Sequence, residues 1–309
     1  MSSIVTITLN PAIDKSTTVT ELVQDKKMKC SPPLFEPGGG GVNVARAIKK
    51  LGGNAIAVYL AGGYTGNFFS HLLEEEGIAT KEVLIAQHTR ENLIVLDKNG
   101  NKQYRFGMPG PAISSKEWQQ LLLVIEKMDS ISFLVASGSI PAGVPADIFA
   151  RIGSIAKKKN AKYIVDTSGE ALIHAVDKGV YLLKPNLAEL SSLAGKEWID
   201  DKEAEQTAKE IIRKESCEVI VVSMGEKGAM LVTKNEVHRI KAPLVERKST
   251  VGAGDCMVAG IVLSLSNKKD LLQAVQYGVA CGTAATMNPG TELCKSEDVE
   301  KIYTDIIET

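Results

Sequence analysis

The chain has 309 residues, a net charge of −1, 44% hydrophobic residues and 24% charged residues, which fits a soluble globular protein and gives no electrostatic basis for binding nucleic acid or an anionic membrane. Its cysteines (Cys30, Cys217, Cys256, Cys281 and Cys294) are odd in number, widely spaced and without a Cys-x-x-Cys pair, which argues against a disulfide framework or a zinc site. The first residues lack a signal-peptide pattern and no segment nears the roughly 20 apolar residues of a bilayer span, so a reduced, cytoplasmic protein is expected.

Short Val/Ile/Tyr-rich runs alternate with helical periodicity along most of the chain. Ile4–Leu9 predicts the first strand. In parallel sheets ligands collect beyond the carboxyl ends of strands. Asp14, in Thr8-Leu9-Asn10-Pro11-Ala12-Ile13-Asp14, is placed to accept hydrogen bonds from sugar hydroxyls; an ordinary turn aspartate accounts for it about as well. Thr17–Phe35 is β-prone with polar alternation. Next comes Phe35-Glu36-Pro37-Gly38-Gly39-Gly40-Gly41-Val42-Asn43-Val44-Ala45-Arg46. Four consecutive glycines cost much backbone entropy, and close approach of the backbone to a ligand would explain that cost. Asn43 lies on the first turn of the following helix, Val42–Leu51.

A strand at Ala55–Ala61 and a helix at Gly66–Glu76 follow. Thr89–Phe106 is again β-prone, with Glu91–Asp97 and Gln103–Phe106 flanking Lys98-Asn99-Gly100-Asn101, where Asn-Gly tolerates positive φ. The two β-prone stretches, about 15–35 and 88–108, predict a small β layer with one uncovered face, suited to a lid or a dimer contact. Arg90, Arg105 and Lys27 lie in it. The remaining elements are helix Lys116–Lys127, strand Phe133–Ser137, helix Pro145–Lys158, strands Tyr163–Asp166 and Tyr181–Leu183, helices Leu187–Ala194 and Asp201–Lys214, strand Val219–Ser223, and helices Ala253–Leu265 and Asp270–Met287. The alternation predicts an α/β fold: one domain over 1–309, with a mainly parallel sheet covered on both faces.

Three later segments add chemistry. In Lys184-Pro185-Asn186-Leu187-Ala188-Glu189, Asn186 and Glu189 share a helix face and are suited to act through water on a metal; a helix cap accounts for them equally well. Ser223-Met224-Gly225-Glu226-Lys227-Gly228-Ala229 is a tight link between strands that would let a nucleotide lie across its glycines, or is a plain β-turn. Ser249-Thr250-Val251-Gly252-Ala253-Gly254-Asp255-Cys256 opens a long helix. Its first N–H groups have no intrahelical partner and suit a phosphate or an oxyanion, and Asp255 among them suits a base for a substrate hydroxyl. Aspartate is also a common helix N-terminal residue. Gly-x-x-x-x-Gly-Lys-Ser/Thr is absent, and Asn43 and Met257 stand where Gly-x-Gly-x-x-Gly needs its last glycine, against a P-loop protein or a dinucleotide-binding dehydrogenase.

Taken in order, the early Gly-Gly-Gly-Gly-Val-Asn-Val-Ala-Arg block and the late Thr-Val-Gly-Ala-Gly-Asp block resemble the two signatures of the PfkB/ribokinase family of carbohydrate kinases, and the resemblance covers essentially the whole chain. Phe35-Glu36-Pro37, Tyr104-Arg105-Phe106, Met108-Pro109-Gly110, Gly138–Gly143 and Val165–Leu172 are similar to its 6-phosphofructokinase branch. The resemblance implies a three-layer α/β/α ribokinase-like fold with a β-sheet lid. It also implies transfer of the ATP γ-phosphoryl group to a primary hydroxyl, with fructose 6-phosphate as substrate. Asp255 would be the base, and the N–H groups of Gly252, Ala253 and Gly254 the anion hole. Asp14, Gly39, Asn43 and Ser139 would hold the sugar. Arg90, Arg105 and Lys27, the last from a second subunit, would take its phosphate.

Lys184, Asn186, Ser223, Gly225, Gly228 and Thr283 would line the ATP site. Asn186 and Glu189 would act on Mg²⁺, and K⁺ would lie near Ser249, Val251, Ala285, Asn288 and Gly290. A homodimer through the lid is implied. Asn10 and Glu292 depart from that branch, and Asn10 is more like the 1-phosphofructokinase and tagatose-6-phosphate kinase branches. A non-catalytic sugar-phosphate-binding regulator is the alternative of another class.

Overall fold

The computed structural model describes residues 3–176, 179–214 and 216–308. Strands β1 (Ile4–Thr8), β4 (Ile56–Ala61), β5 (Ala79–Leu84), β8 (Phe133–Ser137), β9 (Lys162–Asp166), β10 (Val180–Leu183), β11 (Cys217–Ser223), β12 (Ala229–Val232) and β13 (Val237–Ile240) form one sheet in the order β13-β12-β11-β10-β9-β8-β1-β4-β5. All its pairings are parallel except β11–β12 and β12–β13. Strands β2 (Ala12–Val19), β3 (Leu34–Gly38), β6 (Arg90–Asp97) and β7 (Lys102–Phe106) form the lid sheet in the order β3-β2-β6-β7.

Side-chain alternation along the strands divides the core in two. One face of the large sheet (Ile4, Ala57, Tyr59, Val135, Ile164, Val219) packs on α1 (Gly40–Lys50), α2 (Gly63–Glu75), α8 (Ala253–Ser266), α9 (Leu271–Thr286) and α10 (Ser296–Ile307). The other (Val5, Ile7, Val58, Leu134, Val165, Ile220) packs on α3 (Ser115–Lys127), α4 (Ile148–Lys158), α5 (Gly169–Val176), α6 (Leu187–Leu193) and α7 (Asp201–Arg213). The expected three-layer α/β/α arrangement with a lid is therefore observed. Strand order reverses around β1, which lies between β4 and β8. This switch point is where parallel sheets open a crevice at their carboxyl ends.

The lid grows out of that point. Only Leu9, Asn10 and Pro11 separate β1 from β2, and β2 pairs with β6 from Ala12↔Arg90 onward. The lid starts earlier than expected, at Ala12, and residues 20–33 lie outside its strands, so only the two ends of Thr17–Phe35 are β. The 98–101 turn is present, but its left-handed residue is Asn101 (φ 46°) and not Asn99 or Gly100. The Asp97 carboxylate steadies the turn by accepting the Gly100 N–H at 3.0 Å. Helix α4 begins at Ile148, not Pro145, and α2 at Gly63, not Gly66. β5, β13, α5 and α10 were not anticipated.

Helices α8 and α9 pack unusually closely because glycines line their seam. A Cβ on Gly260 would lie 2.6 Å from Cys281 Sγ and 3.0 Å from Gly278 Cα. Behind the seam Cys256, Cys281 and Cys294 lie together, all fully buried, with the Cys294 N–H directed at Cys256 Sγ at 3.4 Å. Cys217 is also buried, and Cys30 is the exposed cysteine.

A second buried device ties the lid to the helical layer. Arg46 on α1 is 3% exposed and donates through Nε to both Glu76 oxygens at 3.0 and 2.8 Å. It also donates to the Pro37 carbonyl at 2.8 Å and pairs with Glu36 of β3, which accepts in turn from Thr291. Removing one partner of such a pair strands a buried charge.

The seam makes a direct test of packing. Gly260→Ala is expected to lower the unfolding free energy in urea by about 1–3 kcal/mol, the cost of overpacking a filled core. This should hold even though alanine gains roughly 1 kcal/mol over glycine in a helix interior. An unchanged or raised urea midpoint would show that the seam opens without cost.

Candidate active site

The four-glycine run crosses the carboxyl ends of β1 and β8. A Cβ on Gly38 would collide with the Asp14 carboxylate, one on Gly40 with Ser137, and one on Gly41 with the Ile7 carbonyl. Gly39 has φ 117° and would press Thr8 Cγ2 at 2.7 Å. Close approach does explain these glycines, but the approach is of chain to chain. The Thr8 hydroxyl accepts the Val42 N–H at 2.8 Å and fixes the α1 N-terminus over β1.

Helix α8 enters the same crevice from the other side. Gly252, at φ 73°, turns the chain into it, and its carbonyl accepts the Cys256 N–H at 2.8 Å. The preceding N–H groups, of Gly252, Ala253 and Gly254, belong to the helix start and have no intrahelical acceptor. Asp255 lies on this first turn. Asn43 Nδ2 donates to its Oδ2 at 2.9 Å, and Ser137 Oγ lies 3.5 Å from its Oδ1. Asn43 thus contacts the carboxylate itself. Burial, then the negative charge of Asp166, push the Asp255 carboxyl up to about 7, against the pull of Asn43 and Lys184.

Asp166, at the end of β9, pairs with Lys184 just after β10, with Oδ1 and Nζ 3.1 Å apart. Lys184 is 5% exposed. Burial opposes its charge, but the carboxylates of Asp166, Glu189 and Asp255 together outweigh that and hold the ammonium above its ordinary range. Asn186 caps α6: its side chain accepts the Glu189 N–H, and Glu189 Oε2 accepts the Asn186 N–H, both at 2.8 Å. Burial raises the Glu189 carboxyl and Asp166 adds to the effect. The capping reading of this pair is correct, and it leaves Glu189 facing the Asp166–Lys184 pair.

A cavity of about 450 Å³ opens beside this cluster. Asn186, Ser223, Gly225, Gly228 and Thr283 line it, all anticipated, together with Ala253 and Gly254 of α8. Its apolar wall of Ala242, Pro243, Leu244, Val245, Met257 and Val279 was not anticipated. Such a slot, apolar with a few polar groups, suits a flat heterocycle.

On the lid side Asp14 accepts from Asn92 Nδ2 at 2.8 Å, and burial raises its carboxyl. Arg90 donates to the carbonyls of Asn10 (3.0 Å) and Met108 (3.1 Å), while Asn10 Nδ2 donates to Ser139 Oγ at 3.0 Å. Asn10 Oδ1 and Arg90 Nε are buried and have no partner among the described residues. Register places Asp14, Asn92, Arg90 and Arg105 on one face of the lid. Arg105 is exposed and bonded to Gln103. Lys27 is exposed in the 20–33 segment and makes no hydrogen bond or ion pair with the other candidate residues among those described.

Ser249, Val251, Ala285, Asn288 and Gly290 come from two adjoining segments. Ser249 Oγ donates to the Gly290 carbonyl at 2.7 Å and accepts the Val251 N–H at 3.2 Å, while the Asn288 N–H donates to the Ala285 carbonyl at 3.2 Å. Their carbonyl-rich chemistry fits a hard monovalent cation. Among the described residues no cluster of three His, Cys, Asp or Glu is arranged as a metal cage. No described helix is long and apolar enough to cross a membrane.

Residues 3–298 match the model of the pfkB family carbohydrate kinases. The chain is 41% identical over 304 residues to the ATP-dependent 6-phosphofructokinase isozyme 2 of Escherichia coli K12, covering 98% of each chain. It is 31% identical over 303 residues to the 1-phosphofructokinase of Bacillus subtilis, covering 98% of each. Structures of phosphofructokinase-2 from E. coli superpose with TM-scores of 0.96 (in complex with potassium; 41% identity) and 0.94 (in complex with fructose-6-phosphate; 39%), covering 99% of this chain and 100% of that one. The ribokinase of Arabidopsis thaliana, at 18% identity and TM-score 0.77, covering 98% of this chain and 99% of that one, shares the fold.

The raised Asp255 carboxyl has a stability consequence. Its folded-state value, about 7, lies above the unfolded 3.8. The stability it contributes is fully present below the unfolded value and is lost as pH rises through about 7. Asp255→Asn, which keeps the shape, is therefore expected to be more stable than wild type at alkaline pH, with the gap closing towards acid. Urea melts of both proteins at several pH values would reveal a pH-independent gap if the carboxyl were unperturbed.

Proposed function

The chain belongs to the pfkB family of carbohydrate kinases, and we propose that it transfers the γ-phosphoryl group of ATP to the free primary hydroxyl of fructose 6-phosphate, giving fructose 1,6-bisphosphate. The observation that carries this reading is the meeting of two helix N-termini over one carboxylate, Asp255, between a nucleotide-sized cavity and the Asp14–Arg90 face of the lid. The identity to the E. coli enzyme supports the choice of sugar.

Asp255 takes the proton of the attacking hydroxyl. A base with a pKa near the working pH combines availability with driving force. As charge spreads over the transferred group, the N–H groups of Gly252, Ala253 and Gly254 and the Lys184 ammonium lie on its path, already oriented. Asp14, Gly39, Asn43 and Ser139 orient the sugar hydroxyls, and Arg90 and Arg105 receive its phosphate. Lys27 joins them from a second subunit in a lid-to-lid homodimer. Asn186 and Glu189 would act through water on a magnesium ion, which would supply charge neutralisation at the nucleotide phosphates. Ser249, Val251, Ala285, Asn288 and Gly290 would hold a potassium ion.

A second reading, tagatose 6-phosphate or fructose 1-phosphate as the acceptor, is favoured by Asn10. Its side-chain amide donates to Ser139 Oγ while its main-chain carbonyl accepts from Arg90, at the root of the lid, where it bears on which phosphosugar fits.

ADP release with Mg-ATP and potassium over a panel of phosphosugars tests both readings. The highest kcat/KM is expected for fructose 6-phosphate; preference for another phosphosugar would overturn the substrate assignment. Asp255→Asn should lower kcat by about 10²–10⁴-fold with nucleotide affinity retained. An unchanged turnover would remove Asp255 from the role of base.

A further inference from the structure

Outside the roles assigned so far stands one charged side chain at the heart of the crevice. We propose that Asp166 is a positioning residue for phosphoryl transfer, a carboxylate that fixes the Lys184 ammonium beneath the α8 N-terminus and confronts the base Asp255. The inference deepens the kinase reading and rests on it.

The backbone puts Asp166 there. It closes β9 opposite Ser137 of β8, and its carbonyl accepts the Gly138 N–H at 3.0 Å. Lys184 follows β10 and donates its N–H to the Val165 carbonyl at 3.2 Å, so adjacent strands deliver the two ionic partners side by side. Their ion pair lies directly under the first turn of α8. A Cβ on Gly254 would stand 3.4 Å from Lys184 Nζ and 3.9 Å from Asp166 Oδ2. Glycine at 254 thus leaves the ammonium uncovered on the side that faces the helix N–H groups.

A buried ion pair is a poor stabilising device, since desolvation offsets its attraction. Placing a carboxylate beside an anion-binding helix end also works against binding. What the pair does supply is a lysine that cannot swing away. The groups facing Asp255 come from every neighbouring element: Asn43 from α1, Ser137 from β8, Asp166 from β9 and Lys184 after β10. Glu189 of α6 faces Asp166 and Lys184, and the buried Cys256 thiol lies behind. Within that ring Asp166 opposes ionisation of Asp255 and Lys184 favours it.

The test uses the full chain and Mg-ATP with fructose 6-phosphate. Asp166→Asn should lower kcat by about 10²-fold, as expected for displaced catalytic groups. KM for the sugar phosphate should change little, and the acid limb of the kcat profile should move to lower pH. Asp166→Glu should return the limb towards its wild-type position. Lys184→Gln should move the limb the other way, to higher pH, and provides the reading if Asp166→Asn does not fold. An acid limb that stays put in Asp166→Asn or in Lys184→Gln overturns the proposal, even if melting temperature and kcat both fall. If wild type releases no ADP with any phosphosugar, the kinase reading fails separately. The same opposite shifts, read by carboxyl NMR of Asp255, then decide the placement of Asp166.

Discussion

Everything in the site depends on how closely the chain can cross the ends of β1 and β8. Gly38, Gly40 and Gly41 each lie where a single methyl would strike Asp14, Ser137 or the Ile7 carbonyl. With that approach the α1 N-terminus settles over the switch point, and Asn43 reaches a carboxylate 212 residues away. Without it, α1 and α8 would stand apart, and neither the base nor its nearest donor would share a crevice. The energetic logic is that of an entropy cost taken once, in a run of glycines, to obtain a rigid convergence of two helix ends.

The charges gathered there are not arranged for stability. Asp255, Asp166 and Glu189 surround one ammonium, two of the three carboxyls are held above their usual range, and the polar lid root leaves Asn10 Oδ1 and Arg90 Nε without partners. Fold-stabilising devices lie elsewhere: the divided core, the α8–α9 seam and the buried Arg46 with its carboxylate partners. A site destabilised relative to its scaffold is the usual signature of preorganised function.

Much of this was legible in the sequence, where the signal was local. The two glycine-led helices, Asp14 past the first strand, and the turn at 223–229 are all short-range patterns, and the fold brings them to one crevice. Partnerships were not legible. The glycine run announced a close approach but not that protein would fill it. Asp166 was passed over although it ends a predicted strand, the position that most favours a functional residue. β5 was missed because five of its six residues are exposed and leave no apolar alternation. In contrast, α10 carried a readable signal in Val299, Ile302 and Ile306, spaced along one buried face. The wall formed by Ala242–Val245 has no periodicity at all and becomes meaningful only beside Met257 and Val279.

The distribution of thiols has a practical side. Cys217, Cys256, Cys281 and Cys294 are buried, and their thiols are held above the ordinary range, so the reactive thiolate is scarce at each. Cys30 stands exposed in the segment that joins two strands of the lid. The native chain thus carries a single addressable handle, in the link between β2 and β3. A fluorophore could be attached there without any engineered cysteine, while the four sheltered thiols would stay silent until the core itself came apart.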